Sequence, residues 1–201
     1  MYRLFYNHSA LKDVLVILIN PEANAASHKT YGDVVCIYDE NNSLIGINIL
    51  HIGEVMKIKA NGVMFVPDER LIGVVNHILT KEGLEPLPPV TDSGYRVAKV
   101  IEVKNHPTSK ESLTLKLECG DKAYETTSTL KGIEVGSIIV IALDGTILHD
   151  GSVYHKATIK NVKNDVKVMN APELHIEGKE DEVFLLNEEP SFVPGEDFFL
   201  R

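Results

Sequence analysis

The chain has 201 residues, 44% of them hydrophobic and 24% charged, with a formal net charge of -9. At about 100 to 150 residues per domain that length predicts two domains, and the apolar content supplies a core for each, which excludes a wholly disordered chain. The acidic balance argues against a protein that coats nucleic acid indiscriminately, because phosphate contacts need concentrated Lys and Arg. The charge is uneven, however: residues 1–92 carry -4, residues 93–170 carry +2 and residues 171–201 carry -7. Any nucleic-acid surface therefore belongs to the middle segment. The longest apolar run, Val14 to Ile19, is strand-sized and far short of the roughly 20 residues of a membrane span. The start of the chain lacks the apolar stretch and small-residue cleavage site of a signal peptide. These features predict a cytoplasmic protein without a membrane partner. Cys36 and Cys119 are the only cysteines, too few and too far apart for a disulfide framework or a Cys-x-x-Cys site, and read as small buried hydrophobes.

In chain order, Arg3 to Tyr6, Asp13 to Ile19, Asp33 to Tyr38 and Ser43 to Ile52 are short runs rich in Val, Ile, Leu and Tyr, bounded by turn-formers. They predict strands. Asn41-Asn42 suits a hairpin turn, since Asn tolerates positive φ, and Val55 to Ile58 reads as a further strand. From Pro67 to Glu82 the period changes. Leu71, Val74, Val75, Ile78 and Leu79 fall on one helical face, with Asp68-Glu69 at its start and Lys81 before Gly83 at its end. The first 84 residues thus predict a small α+β domain. Residues 85–94, with three prolines followed by Thr-Asp-Ser-Gly, predict a stiff extended linker.

Residues 95–201 read as all-β. Tyr95 to Lys104 opens the segment and His106-Pro107 follows. Leu113, Leu115 and Leu117 then alternate with Thr114, Lys116 and Glu118, the period of a half-buried strand. Thr108-Ser109-Lys110-Glu111 fits a capping box and predicts a short helical turn. Further strands are expected over Ala123 to Thr127, Ser137 to Leu143 and Val153 to Ile159. Short strands with turns every 8 to 12 residues indicate a small barrel or sandwich.

The order of blocks in this half carries a family resemblance. Tyr95-Arg96-Val97-Ala98-Lys99-Val100-Ile101-Glu102-Val103, His106-Pro107 and the Leu-alternating strand ending at Gly120 resemble the opening of the tRNA-binding OB domain. That domain is found in the phenylalanyl-tRNA synthetase β chain, at the end of some methionyl-tRNA synthetases, and in EMAP-II-like and stand-alone tRNA-binding proteins. Glu134 to Leu143, Asp144-Gly145-Thr146-Ile147-Leu148-His149-Asp150-Gly151 and Lys156-Ala157-Thr158-Ile159-Lys160-Asn161-Val162 are similar to its later blocks, and Val183 to Leu186 with Val193-Pro194-Gly195-Glu196 to its close. The resemblance covers about 105 residues and implies an all-β OB-fold barrel that binds tRNA or another structured RNA without catalysis. A second copy of the chain and an aminoacyl-tRNA synthetase are further expected partners. Two segments depart from the family pattern. Ser128-Thr129-Leu130-Lys131-Gly132 replaces Cys-Gly-Ala-x-Asn, and Asn164-Asp165-Val166-Lys167-Val168-Met169-Asn170 replaces Ser-x-Gly-Met-x-x-Ser.

The candidate RNA-binding residues follow from charge and polarity on this framework. Lys156, Lys160, Lys163 and Lys167, with Lys104 and Lys116, form a basic set able to track phosphates, or alternatively a solvated face. Tyr124 is a stacking platform or a packed strand residue. Ser128, Asn164 and Asn170 are polar groups at the altered segments. His51, His77, His149, His155 and His175 are scattered without metal-ligand spacing, so no metal is expected. No phosphate-cradling or nucleophile motif is present, so neither a cofactor nor catalytic residues are expected. The apolar set Phe184, Leu185, Leu186, Phe192, Phe198 and Phe199 either closes the barrel or forms an interface. A protein-interaction or dimerisation module that keeps the OB scaffold and has lost RNA affinity is the alternative reading.

Overall fold

A computed structural model describes residues 2–159, 161–186 and 191–200. The chain is mostly β, with 37% strand and 12% helix, and divides into two compact units, Met1–Thr91 with Asp150–Ser152, and Asp92–His149 with Val153–Arg201.

The first unit holds six strands, β1 (Arg3–Tyr6), β2 (Val14–Leu18), β3 (Ser27–Tyr31), β4 (Val34–Tyr38), β5 (Leu44–Leu50) and β6 (Gly62–Met64), with helices α1 (His8–Leu11), α2 (Ile52–Val55) and α3 (Glu69–Lys81). They form one sheet in the order β3-β4-β5-β2-β1-β6, antiparallel at every pairing. Register aligns the alternating apolar residues in rows: Cys36, Ile47, Ile17 and Leu4 in one, Val34, Ile49, Leu15 and Tyr6 in the next. All eight are buried. Helix α3 lays Leu71, Val75 and Leu79 on the same core, each worth about 1.5–3 kcal/mol of transfer free energy. The Asp68 carboxylate accepts from Arg70 N–H at its start, and Gly83, at φ +73°, ends it.

Three features of this unit differ from the sequence expectation. The strand expected over Val55–Ile58 is absent: α2 occupies Ile52–Val55, and the strand that joins the sheet is β6, paired to β1. Strand β3 had no apolar signal because it is an edge strand whose Ser27, His28, Lys29 and Thr30 are all exposed. The proline-rich stretch after α3 is extended but tied down. Asn76 accepts from the Leu87 N–H at 2.8 Å and donates to the Leu87 carbonyl at 3.2 Å, and Tyr2 Oη donates to the Pro88 carbonyl. The hairpin at Asn41-Asn42 takes the expected form: Asn42 has φ +61°, and the Asp39 carboxylate accepts from the N–H groups of Asn41 and Ser43.

The second unit contains β7 (Tyr95–Asn105), β8 (Leu113–Cys119), β9 (Lys122–Ser128), β10 (Ile138–Ala142), β11 (Ala157–Ile159), β12 (Val162–Asn164), β13 (Lys167–Val168) and a 3-10 turn at Pro172–Leu174. A five-stranded sheet runs β13-β10-β7-β8-β9, and β11 pairs with β12. This sheet is curled into a half-barrel, helped by a bulge between Val100 and Glu102 on β7, which adds local twist. Its two edges are bridged. Asp165 N–H donates to the Glu125 carbonyl, Glu125 N–H donates to the Asp165 carboxylate, and Thr126 Oγ1 donates to the Val166 carbonyl at 2.5 Å. Inside lie Ala98, Val100, Leu115, Leu117, Ile139, Ile141, Val166 and Val168.

Residues 193–200 return along the start of β7. Val97 N–H donates to the Glu196 carbonyl, Gly195 N–H to the Val97 carbonyl and Phe198 N–H to the Tyr95 carbonyl. Gly195 is required there, since a Cβ would sit 2.8 Å from Gly120 Cα. Phe184, Phe192, Phe198, Phe199 and Tyr95 form a chain of ring contacts, so the expected aromatic set packs within the unit, whereas Leu185 is exposed. Two local expectations fail. No helical turn forms at Thr108–Glu111, because His106 Nδ1 accepts the Thr108 and Ser109 N–H groups and holds a non-helical turn instead. Of the run Val153–Ile159 only Ala157–Ile159 is strand, with Val153 making a single bridge to Ile147.

Candidate nucleic-acid interface

The curl and the edge bridging leave a cleft of about 390 Å³ in the second unit. Its walls are Thr126 to Leu130 at and just after the end of β9, Tyr154 and His155 with Ala157 at the start of β11, and Asn164, Val166, Lys167, Val168 and Asn170, with Glu173 from the 3-10 turn. Both segments that depart from the family pattern meet here. Asn164 joins the walls: its Oδ1 accepts from Thr127 N–H at 3.1 Å and from Thr127 Oγ1 at 2.5 Å, while its carbonyl accepts from Tyr154 Oη at 2.9 Å. Ser128 Oγ accepts from Leu130 N–H, which shapes the exit from β9. Val166, Val168 and Leu130 supply an apolar floor and Thr127, Ser128, Thr129 and Asn164 a polar rim. A concave site of this size, with mixed apolar and polar lining, is in the range that holds a small ligand.

Charge around the cleft is balanced locally. Lys167 Nζ lies 2.7 Å from Glu173 Oε1, Lys156 3.5 Å from Asp144 and Lys163 3.7 Å from Glu125; away from the cleft, Lys104 pairs with Glu102. Exposed pairs such as those of Lys156 and Lys163 are worth little, so a phosphate can compete for these two lysines, whereas the Lys167–Glu173 pair is half-buried. The Asp144 carboxyl is held below its ordinary value, first by the Lys156 N–H and then by the Lys156 and His155 side chains, against partial burial. The Tyr154 phenol is pushed up to about 12 by burial and by the nearby Asp165 and Asp144 carboxylates, so it stays a neutral hydrogen-bond donor.

Of the candidate residues named from sequence, Ser128, Asn164, Lys167 and Asn170 converge on this cleft. The Asn170 side chain is already committed, donating to the Glu180 carbonyl and accepting from Glu173 N–H. Tyr124 and Lys156 line a neighbouring depression of about 440 Å³ with Ala123, Leu143, Asp144 and Asp165. Tyr124 is half-buried, packed against the core of the curled sheet. Lys163 is exposed on β12. Lys104 and Lys116 stand exposed on β7 and β8, away from both hollows. Lys160 lies outside the described residues. Among the described residues no cluster of three or more His, Cys, Asp or Glu side chains is arranged to hold a metal ion, and no helix is long and apolar enough to cross a membrane.

Sequence reasoning missed Tyr154, Thr126, Thr129 and Glu173. Tyr154 was hidden inside a run read as one strand. Thr126 and Glu173 have no motif, Thr129 lies inside the altered block 128–132 without being singled out, and the position of all three depends on how the sheet edges meet.

Residues 21–87 match the family described as a domain of unknown function, DUF4479. Over 197 residues, 96% of this chain and 98% of the relative, the sequence is 26% identical to the Bacillus subtilis (strain 168) protein named "Putative tRNA-binding protein YtpR". Over 99 residues, 49% of this chain but 13% of the relative, it is 29% identical to the phenylalanine-tRNA ligase beta subunit of Thermotoga maritima. The chain is therefore similar, almost end to end, to a protein named for tRNA binding, and in half its length to a segment of a synthetase subunit.

Proposed function

We propose that the second unit is an OB-type barrel through which the protein binds tRNA, or another structured RNA, in the cytoplasm without catalysing a reaction on it. The observation that carries this reading is the convergence of Ser128 and Thr129 with Asn164 and Lys167, from segments more than 30 residues apart, on one cleft with an apolar floor and a polar rim. The end-to-end similarity to a protein named for tRNA binding supports it. Recognition rests on shape and on one unstacked nucleotide in the cleft, with Lys156 and Lys163 along its flank meeting phosphates. The first unit is an α+β domain that accompanies the barrel.

The test is a gel-shift titration of total bacterial tRNA with the full chain and with a Lys156→Glu, Lys163→Glu, Lys167→Glu variant. Salt-sensitive binding by the wild type that the variant loses by at least about tenfold is expected, each phosphate contact contributing roughly 0.7–0.9 to the salt slope. Equal affinity of the two proteins would refute the site.

A further inference from the structure

We propose that Glu173 competes with RNA phosphate for Lys167, so that the acidic segment following β13 sets the affinity of the cleft for RNA; this rests on the RNA-binding reading above.

Glu173 is itself a wall residue of the cleft. Its pair with Lys167, at 2.7 Å with side chains 31% and 17% exposed for Lys167 and Glu173, is the least exposed lysine ion pair among the described residues. Both carboxylate oxygens are held, Oε1 by Lys167 and Oε2 by Asn170 N–H at 3.3 Å, and the Glu173 backbone is pinned by its own N–H donating to Asn170 Oδ1 at 2.9 Å. Glu173 is thus a positioned anion and not a mobile surface charge. The same segment reaches a second cation. Asp181 lies 2.7 Å from Lys131 Nζ, Lys131 N–H donates to the Asp181 carbonyl, and Val183 N–H donates to the Lys131 carbonyl. Lys131 follows Leu130 of the cleft wall. The cleft lysine and its neighbour are therefore both met by carboxylates of one stretch.

A phosphate that approaches Lys167 must displace Glu173 or share the lysine with a like charge. The contact is weaker than a free lysine would give. Ligands that also fill the apolar floor can bear that loss, whereas a bare polyanion cannot. Glu173 is in this sense a specificity-determining residue.

The experiment compares tRNA binding by full-length wild type, Glu173→Gln, Asp181→Asn and Glu177→Gln across a salt series, with a Lys167→Ala, Glu173→Gln double variant. Gln at 173 keeps an oxygen for Asn170 N–H. Glu177 is exposed and outside the cleft, so its neutralisation changes net charge equally without releasing a lysine. The expected result is binding tighter by roughly three- to tenfold for Glu173→Gln, with a salt slope steeper by about 0.7–0.9 for one added phosphate contact. Asp181→Asn should give a smaller gain, Glu177→Gln none, and the double variant should lose the gain. Wild-type tRNA binding that Glu173→Gln leaves unchanged, or that Glu177→Gln strengthens equally, overturns the inference while the RNA-binding reading stands. Absence of tRNA binding by every protein overturns that reading and this inference with it.

Discussion

Replacing Asp197 with Ala should unfold much of what closes the second unit. The side chain is 13% exposed and accepts five hydrogen bonds: from Ser93 N–H at 2.8 Å, Ser93 Oγ at 2.5 Å, Arg96 Nη1 at 2.8 Å, and Phe199 and Leu200 N–H at 3.0 Å each. Ser93 is fully buried, so its N–H gains no water in exchange, at about 1–3 kcal/mol for an orphaned group, while its hydroxyl keeps the long bond to the Tyr95 carbonyl at 3.4 Å. Arg96 keeps Asp92 as a partner at 2.8 Å, which limits the cost of its uncompensated charge. Loss of a partly buried, multiply bonded carboxylate then totals about 3–5 kcal/mol, a large part of the roughly 5–15 kcal/mol that holds a domain folded. Urea unfolding followed by tyrosine emission is the assay, because the chain has no Trp and Tyr95 is buried edge-on to Phe199 at 5.2 Å. At about 1–3 kcal/mol per M, the midpoint should fall by roughly 1–5 M. The effect has a pH signature. Burial pushes the Asp197 carboxyl up, but the hydrogen bonds from Ser93, Leu200 and Phe199 outweigh it and the net shift is downward. A depressed folded value means stabilisation present above the unfolded value of about 3.9 and lost as pH falls through the folded value. The gap between wild type and Asp197→Asn should therefore close below about pH 4. A destabilisation under about 1 kcal/mol for the Ala variant would refute the reasoning.

Other substitutions test separate contacts. Gly195→Ala places a Cβ 2.8 and 2.9 Å from backbone atoms of Gly120, which cannot yield as a side chain would, so a loss of about 1–3 kcal/mol in a urea titration is expected. Asn164→Ala removes the acceptor shared by the Thr127 amide and hydroxyl. Hydrogen exchange at Thr127 should quicken, and tRNA affinity should drop with it. Asn76→Ala frees both polar groups of Leu87, and faster exchange of the Leu87 amide with a global cost of about 1 kcal/mol is expected.

Much of the fold was legible because it obeys simple periods. The alternation of Leu113, Leu115 and Leu117 and the helical face Leu71, Val75 and Leu79 each have one buried side, and burial writes itself into the sequence as spacing. Strand β3 escaped because an edge strand with exposed side chains has no apolar period. Strands β12 and β13 escaped because they are two or three residues long and are held by side-chain bonds from Thr126, Thr127 and Asn164 across 37 to 40 residues. The site was legible in part for the same reason. Ser128 and Asn164 were named as isolated polar positions, but only the curl of the sheet brings them to one cleft. Glu173 and Asp181, which balance Lys167 and Lys131, lie in the acidic stretch 171–201, which sequence read only as a net charge. The basic run therefore looked freer in the sequence than it is in the folded unit.

The most direct test of the central claim is photo-crosslinking of tRNA to the full-length protein, with the attachment points mapped by mass spectrometry. Crosslinks on the peptides carrying Thr126 to Leu130 and Asn164 to Asn170 are the predicted result. Crosslinks confined to the first unit, or to the exposed face of β7 and β8 around Lys104 and Lys116, would contradict it.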